Sequence, residues 1–327
     1  TNNPDKPGFA EVIQVENKQD KPDDGVVILK KTEPGMCGGT DASQDTKAPK
    51  EILSEDMILF DVTSALSRGY IPSEGKRNSV EKLGYVSAFA APVSNGTFLF
   101  FEKGDSFQKR AQKTRSWAYV KEDVFPSLVR FVRDRDIAKS NGFHSTTHGL
   151  PENFGGSVDI RYASGEKISF SNNQQSIITL AAGAEIANLF TKAMNGEKVE
   201  LPVVSSLKEI RFEELRKNGG FTKAVLTIQP DGTGINAKQS KYDDPKIYES
   251  EKPIDAETVV AIKKNIEDTG ILAWSDLPSN GFSYRIDKQL TFVFDDGREI
   301  IVKNDRLVPD QIGRGFFNIE LEMTTKH

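Results

Sequence analysis

The sequence is poor in the residues that most often announce chemistry, with one cysteine, Cys37, and three histidines. A lone cysteine excludes an internal disulfide framework and any cysteine-only structural zinc site. Its surroundings, rich in Pro, Gly, Asp and Lys and far from any histidine, also exclude a thiol nucleophile. No run of about 18 apolar residues occurs, so no transmembrane helix is expected. A sustained Lys/Arg stripe is missing too, and the net charge is −5. Neutralising phosphates needs a basic surface, so nucleic acid is excluded as a partner, and an anionic membrane surface with it. The GxSxG elbow, the GxGxxG loop and the Walker pattern are all absent, and no cofactor is expected. Asp20, Asp23 and Asp24, like Asp243 and Asp244, are too sparse for a calcium loop and read as solvated turns.

What is present suits a globular chain. At 327 residues, 37% of them apolar and 28% charged, it is long enough for two domains with their own cores and a tail. Residues 1–50 are dominated by Pro, Asp, Lys, Gly, Asn and Thr and read as a flexible N-terminal tether, in which the VVIL cluster at Val26–Leu29 could add an edge strand. Its last part, GGTDASQDTKAPK, reads as linker. The chain begins at Thr1 without an initiator Met, as a mature chain would whose targeting segment is gone, and that favours export. The residues before Cys37, Glu33-Pro34-Gly35-Met36, are not those of a lipoprotein processing site, so any lipid anchor would precede Thr1.

The remainder divides into a first module, 51–198, and a second, 199–327, because one pattern occurs twice. NGFHSTTHGLPENFGGSVDIRYASGEKISFSN, from Asn141 to Asn172, has a shorter copy in NGFSYRIDKQLTFVFDDGREIIVKN, from Asn280 to Asn304. Each opens with Asn-Gly-Phe and continues into two strand-like runs around a turn, Ser164-Gly165 or Asp296-Gly297. Upstream, Tyr85–Thr97 and Phe221–Thr233 align without a gap as hairpins, with Asn95-Gly96 and Asp231-Gly232 at their turns, and Asn95-Gly96 best fits a two-residue turn in which both central residues take positive φ. Ile58 and Phe60 are mirrored by Ile210 and Phe212. A helix is predicted between the hairpins of each module. One follows Asp123 with Val124, Phe125, Leu128, Val129, Phe131 and Val132 on one side; the other runs from Asp255 to Gly270 with Val259, Ile262 and Ile266. The last elements are expected to differ, a helix within SIITLAAGAEIANLFTKAM and a terminal strand through Phe317, Ile319, Leu321 and Met323. The expected fold is α+β, each module an antiparallel sheet of strand, hairpin, helix and hairpin covered by a helix.

One constellation resembles a site. His144 and His148 are four positions apart, with Glu152 following, and on a helix the three would share a face and could hold zinc. The glycines and proline around them, and the lack of Glu directly after His144, point instead to a loop and away from the HExxH signature. No metal site is therefore assigned, and His144, His148 and Glu152 stand as the alternative ligand set. Trp117, Phe154 and Tyr162 lie with other aromatics, Tyr119, Phe143, Trp274 and Tyr284, near the repeat loops, where they could form a protein- or carbohydrate-binding surface together with the histidines and Glu152.

The run from Arg115 to Gln174, RSWAYVKEDVFPSLVRFVRDRDIAKSNGFHSTTHGLPENFGGSVDIRYASGEKISFSNNQ, resembles a segment of uncharacterised secreted or lipid-anchored proteins of Firmicutes, gut Clostridia in particular. The resemblance implies export and carries no activity or functional residue with it. Taken together, the expectation is an extracellular or surface-anchored bacterial protein that binds an unknown extracellular protein or carbohydrate and leans away from catalysis. The alternative is an extracellular hydrolase, metal-assisted through the His144/His148 loop.

Overall fold

The computed structural model describes residues 40–67, 83–105, 113–148, 155–242, 245–279 and 286–325. The strands of the first part are β1 (Thr40–Gln44), β2 (Met57–Ser67), β3 (Tyr85–Val93), β4 (Gly96–Gly104), β5 (Lys113–Val120), β6 (Phe143–Thr147), β7 (Gly156–Tyr162), β8 (Lys167–Asn172) and β9 (Ile178–Thr179). The helices with them are α1 (Phe125–Asp134) and α2 (Leu180–Met194). The later part contains β10 (Leu207–Arg216), β11 (Phe221–Ile228), β12 (Gly234–Lys241), β13 (Ile247–Ile254), α3 (Ala256–Thr269), β14 (Ile286–Phe294), β15 (Glu299–Lys303) and α4 (Asp310–Thr324). The fold is mixed α+β and mostly β. By contacts the chain separates into two compact units, one running to Pro92 and resuming over Leu99–Glu197, the other made of Val93–Phe98 and Lys198–His327.

The sheet of the first unit runs β1-β6-β8-β7-β2-β3-β4-β5, with β9 added beside β2. Its pairings are antiparallel except for short parallel contacts of β6 with β8 and β2 with β9. Phe60 of β2 lies between Ala90 of β3 and Ile160 of β7. On the face it shares with Val62, Leu99 and Phe101, the apolar stripes of α1 and α2 close the core through Leu128, Phe131, Ile186 and Phe190. The Phe60 ring meets Phe131 edge-on at 6.2 Å and Phe190 at 6.1 Å, and Phe190 stacks on Phe101 at 5.7 Å. Such ring pairs add to the burial of apolar area that drives the packing. β3 and β4 are buried along almost their whole length, a departure from the one-faced alternation expected of a sheet covered on one side.

The sheet of the second unit runs β13-β12-β11-β10-β14-β15, antiparallel throughout. Ile210, Phe212, Ala224, Leu226, Leu290, Phe292 and Val302 are buried. So are Val259, Ile262 and Ile266 of α3 and Ile312, Phe316, Ile319 and Met323 of α4. Asp255 caps α3 by accepting the Thr258 N–H at 2.7 Å, and Gly270 ends it at φ 63°. In α1 the cap is shifted by one residue: Val124 holds the N-cap position, and Asp123 accepts the Phe125 N–H at 3.0 Å.

Four expectations are corrected. The terminal strand is the helix α4, because the residues that bury follow helical spacing. Phe317 and Leu321 of the apparent alternation stay exposed, while Gly315 packs on Thr269 of α3. Thr40–Gln44, inside the expected linker, is an edge strand paired with β6 from Thr40↔Thr147 to Gln44↔Phe143. Its polar sequence has no apolar period to betray it, since almost every side chain is exposed. Ile58 does not mirror Ile210. A bulge between Met57 and Leu59 turns Ile58 outward and puts Met57 inside, whereas Phe60 and Phe212 are both buried. At Asn95-Gly96 the expected pair of positive φ values is missing, because Asn95 is not in the left-handed region. The VVIL cluster and the second Asn-Gly-Phe, at Asn280, lie outside the described residues.

Four other hairpins share one turn. Gly165, Gly219, Gly232 and Gly297 take φ between 83° and 91°, each donating its N–H to the carbonyl three residues back. This is a type I turn closed by a left-handed glycine, the usual three-residue hairpin loop. The first Asn-Gly-Phe is explained by buried Asn141. Its Nδ2 donates to the carbonyls of Pro49 and Lys167 at 2.9 and 2.8 Å, and its Oδ1 accepts the Ser169 N–H at 2.7 Å.

Candidate functional site

In the second unit a cleft of about 410 Å³ opens between the hairpin β14–β15, the segment after it, the 3₁₀ turn Ile271–Asp276 and α4. It is lined by the apolar side chains of Trp274, Val308, Phe316 and Phe317, by the polar ones of Lys288, Lys303, Asn304, Arg306 and Glu320, and by Gly313 of α4. The size falls within the range of small-ligand pockets, and so does the combination of aromatic walls with a few polar groups.

Strand parity explains the position of Lys288. It shares the inward face of β14 with Leu290 and Phe292, and its cross-strand partner on β10 is Glu214, which follows Ile210 and Phe212 on the inward face there. Two charges on apolar stripes can stay there only as partners. Lys288 Nζ is 3.4 Å from Glu214 Oε2 and 2.5 Å from Glu320 Oε1 of α4, and Glu214 also accepts from Arg216 Nε at 2.6 Å. The Lys288 charge is thereby offset within the fold.

Lys303 and Arg306 are placed differently. Among the described residues Lys303 enters no ion pair. Arg306 Nη1 donates to the Leu277 carbonyl at 2.8 Å, while its Nε lies 4.0 Å from Asp305 Oδ1, and both of those atoms are buried without a hydrogen bond. Trp274, 2% exposed, has an Nε1–H that is also buried without an acceptor. Buried polar atoms are nearly always paired, so an unpaired N–H on each of two lining residues, Trp274 and Arg306, marks the cleft out. The segment from Asn304 to Val308 is held in place by Leu307 N–H to Pro278 O at 2.8 Å and by a bridge between Ser279 and Arg306.

The residues singled out in the sequence lie elsewhere, Trp274 excepted. His144 sits on a strand, β6, where a loop was expected. The rise of about 3.3 Å per residue in a strand puts the His144 and His148 Cα atoms about 13 Å apart, too far to share one ion. They have separate partners, Ser171 Oγ at 3.0 Å from His144 Nδ1 and Asp41 Oδ2 at 2.9 Å from His148 Nε2. Glu152 and Phe154, like Tyr284, lie outside the described residues. Tyr162 is buried in the core of the first unit, and burial pushes its hydroxyl up to about 12. Trp117 is half-buried on β5. Among the described residues no three His, Cys, Asp or Glu side chains gather as a metal site. The cleft did leave a trace in the sequence: Lys288 breaks the inward stripe of β14, as Glu214 breaks that of β10. It became legible as a site only once α4 had replaced the expected strand.

Partial burial, and then the nearby Lys167 charge, lower the His144 pKa below its ordinary 6.5. The unfolded chain therefore binds the proton more tightly, and the stability contributed by neutral His144 is complete above 6.5 and lost as pH falls through the lowered folded value. Thermal unfolding between about pH 7.5 and pH 5 should show a larger loss for the wild type than for His144→Gln, which can keep the bond to Ser171. Equal losses would remove His144 from the account.

Compared with known families and curated proteins, the chain matches no family model and no curated sequence.

Proposed function

We propose that the chain is an exported bacterial surface protein made of two copies of one α+β module, and that it works by binding a ligand in the cleft of the second. The observation that carries the binding reading is the cleft itself, lined by aromatic and charged residues together, with Trp274 Nε1 and Arg306 Nε buried and unpaired beside it. Among the described residues only one carboxylate, Glu320, lines it, and that is held by Lys288. An acid and a base facing each other across the space would favour hydrolysis, and the lining residues include no such pair.

Strand order supports the duplication. The series β8-β7-β2-β3-β4-β5 and β15-β14-β10-β11-β12-β13 run through equivalent strands in the same sequence order. In chain order a helix follows the fourth of these six strands in each unit, β5 or β13, and another comes after the sixth, β8 or β15, with β9 before it in the first. Export rests on the resemblance of Arg115–Gln174 to secreted proteins, and protease treatment of intact cells tests it: the chain should be cleaved without lysis.

The binding reading has its own test in Gly313. A Cβ there would meet only Val308 Cγ2, at an ordinary 3.5 Å, so a larger side chain fits by growing into the cleft. Gly313→Leu should raise stability by about 0.5–1 kcal/mol, because glycine is a poor residue inside a helix. The same change should abolish binding of small-molecule fragments detected by ligand-observed NMR. If the fragments that bind the wild type also bind Gly313→Leu, the cleft is not the binding site.

A further inference from the structure

We propose that the cleft takes a small organic carboxylate whose body is apolar and about the size of an aromatic ring. This rests on the reading of the cleft as a binding site and adds the chemistry of what it binds.

The charge of the ligand follows from what the fold leaves over. Of the three cations in the lining, Lys288 is matched by Glu214 and Glu320. Lys303 has no carboxylate among the described residues, and Arg306 approaches Asp305 no closer than 4.0 Å without a hydrogen bond between them. Lys303 and Arg306 both line the partly enclosed space, and positive charge that the fold does not match with a hydrogen-bonded carboxylate favours an anion there. Guanidinium and ammonium groups both pair readily with a carboxylate.

The body of the ligand follows from the apolar part of the lining. Trp274, Val308, Phe316 and Phe317 present an apolar surface, and Phe317 is 54% exposed, so an apolar occupant would remove its ring from water. A sugar acid or a polyhydroxylated ligand needs donors and acceptors for each hydroxyl it brings in. Among the described residues, apart from the matched Lys288–Glu320 pair and the two anion-directed cations, the lining side chains provide only the Asn304 amide and the Trp274 Nε1–H. Inorganic phosphate would use the cations and leave the aromatic wall uncovered.

Isothermal titration of the full chain with 3-phenylpropionate, its amide and glucuronate separates these terms. 3-Phenylpropionate should bind at least about tenfold more tightly than 3-phenylpropionamide, and its affinity should fall with added salt. Lys303→Gln and Arg306→Ala should each narrow that ratio. Because Arg306 also holds the Leu277 carbonyl, Lys303→Gln is the variant expected to keep the fold fully, as read by circular dichroism. Amide and acid binding equally, in a manner blocked by Gly313→Leu, would overturn the charge assignment and leave the cleft as a binding site. Glucuronate binding as tightly as 3-phenylpropionate would overturn the apolar body. If none of the three binds at about 10 mM, the carboxylate proposal falls; if the wider fragment set also fails, so does the binding reading.

Discussion

Phe60→Ala is expected to lower the unfolding free energy of the first unit by about 3–5 kcal/mol, the usual cost of emptying a buried phenylalanine site. Phe60 is wholly buried in the middle of the sheet, between Ala90 and Ile160, and its ring meets both Phe131 of α1 and Phe190 of α2. Neighbours anchored in two helices and two strands cannot collapse far into the space, so the cavity term stays large. The measurement is direct because the two tryptophans, Trp117 and Trp274, fall one in each unit. In a Trp274→Phe background, urea unfolding followed by Trp117 fluorescence reports the first unit alone, and the midpoint should drop with little change of slope. A loss below about 1 kcal/mol would mean that α1 and α2 are not held through this ring.

Gly156→Ala should cost about 3 kcal/mol, the upper range for forcing atoms into a packed interior, and for a reason that has nothing to do with side-chain burial. At the start of β7 an added Cβ would stand 2.1 Å from the Thr63 carbonyl oxygen and 2.7 Å from the Ser64 Cα, both backbone atoms of β2. Gly156 is paired with Ser64 on one side and Asn172 on the other, so relief requires two strands to separate. Gly165→Ala is the control. Its Cβ would meet nothing within 4 Å, and only the left-handed backbone at φ 91° is penalised, by about 1–2 kcal/mol. If Gly156→Ala proves no worse than Gly165→Ala, the close approach of β7 to β2 is not as drawn.

Much of the fold was legible from local pattern. The alternation of Val158, Ile160 and Tyr162 and of Ile168 and Phe170, the glycines of the hairpin turns, and the stripes of α1 and α3 are signals that short segments carry by themselves, because a strand or helix has a fixed period. The signals that misled were of two kinds. Phe317, Ile319, Leu321 and Met323 fit a strand and a helix equally when read without Ile312 and Phe316, and packing against Thr269 selects the helix. Thr40–Gln44 has no apolar period, because a polar edge strand is held by backbone hydrogen bonds to β6.

The site divides along the same line. His144 and His148 drew notice because rare residue types at a regular spacing resemble ligands. That spacing has meaning only on a helix, and β6 is a strand. Lys288 and Glu214 drew none, although each breaks an apolar stripe, because a lone charge in a strand has no visible partner until register is known. The sequence by itself determined the α+β composition, the recurrence of hairpin and helix, and the absence of a cysteine framework or a helix of membrane-spanning length, since these depend on residues near one another in the chain. Tertiary structure alone decided that β10 sets Glu214 opposite Lys288, that α4 brings Glu320 to the same lysine, and that Lys303 and Arg306 line the same cleft as Trp274. Charge compensation is a matter of distance in space, and no local pattern encodes it.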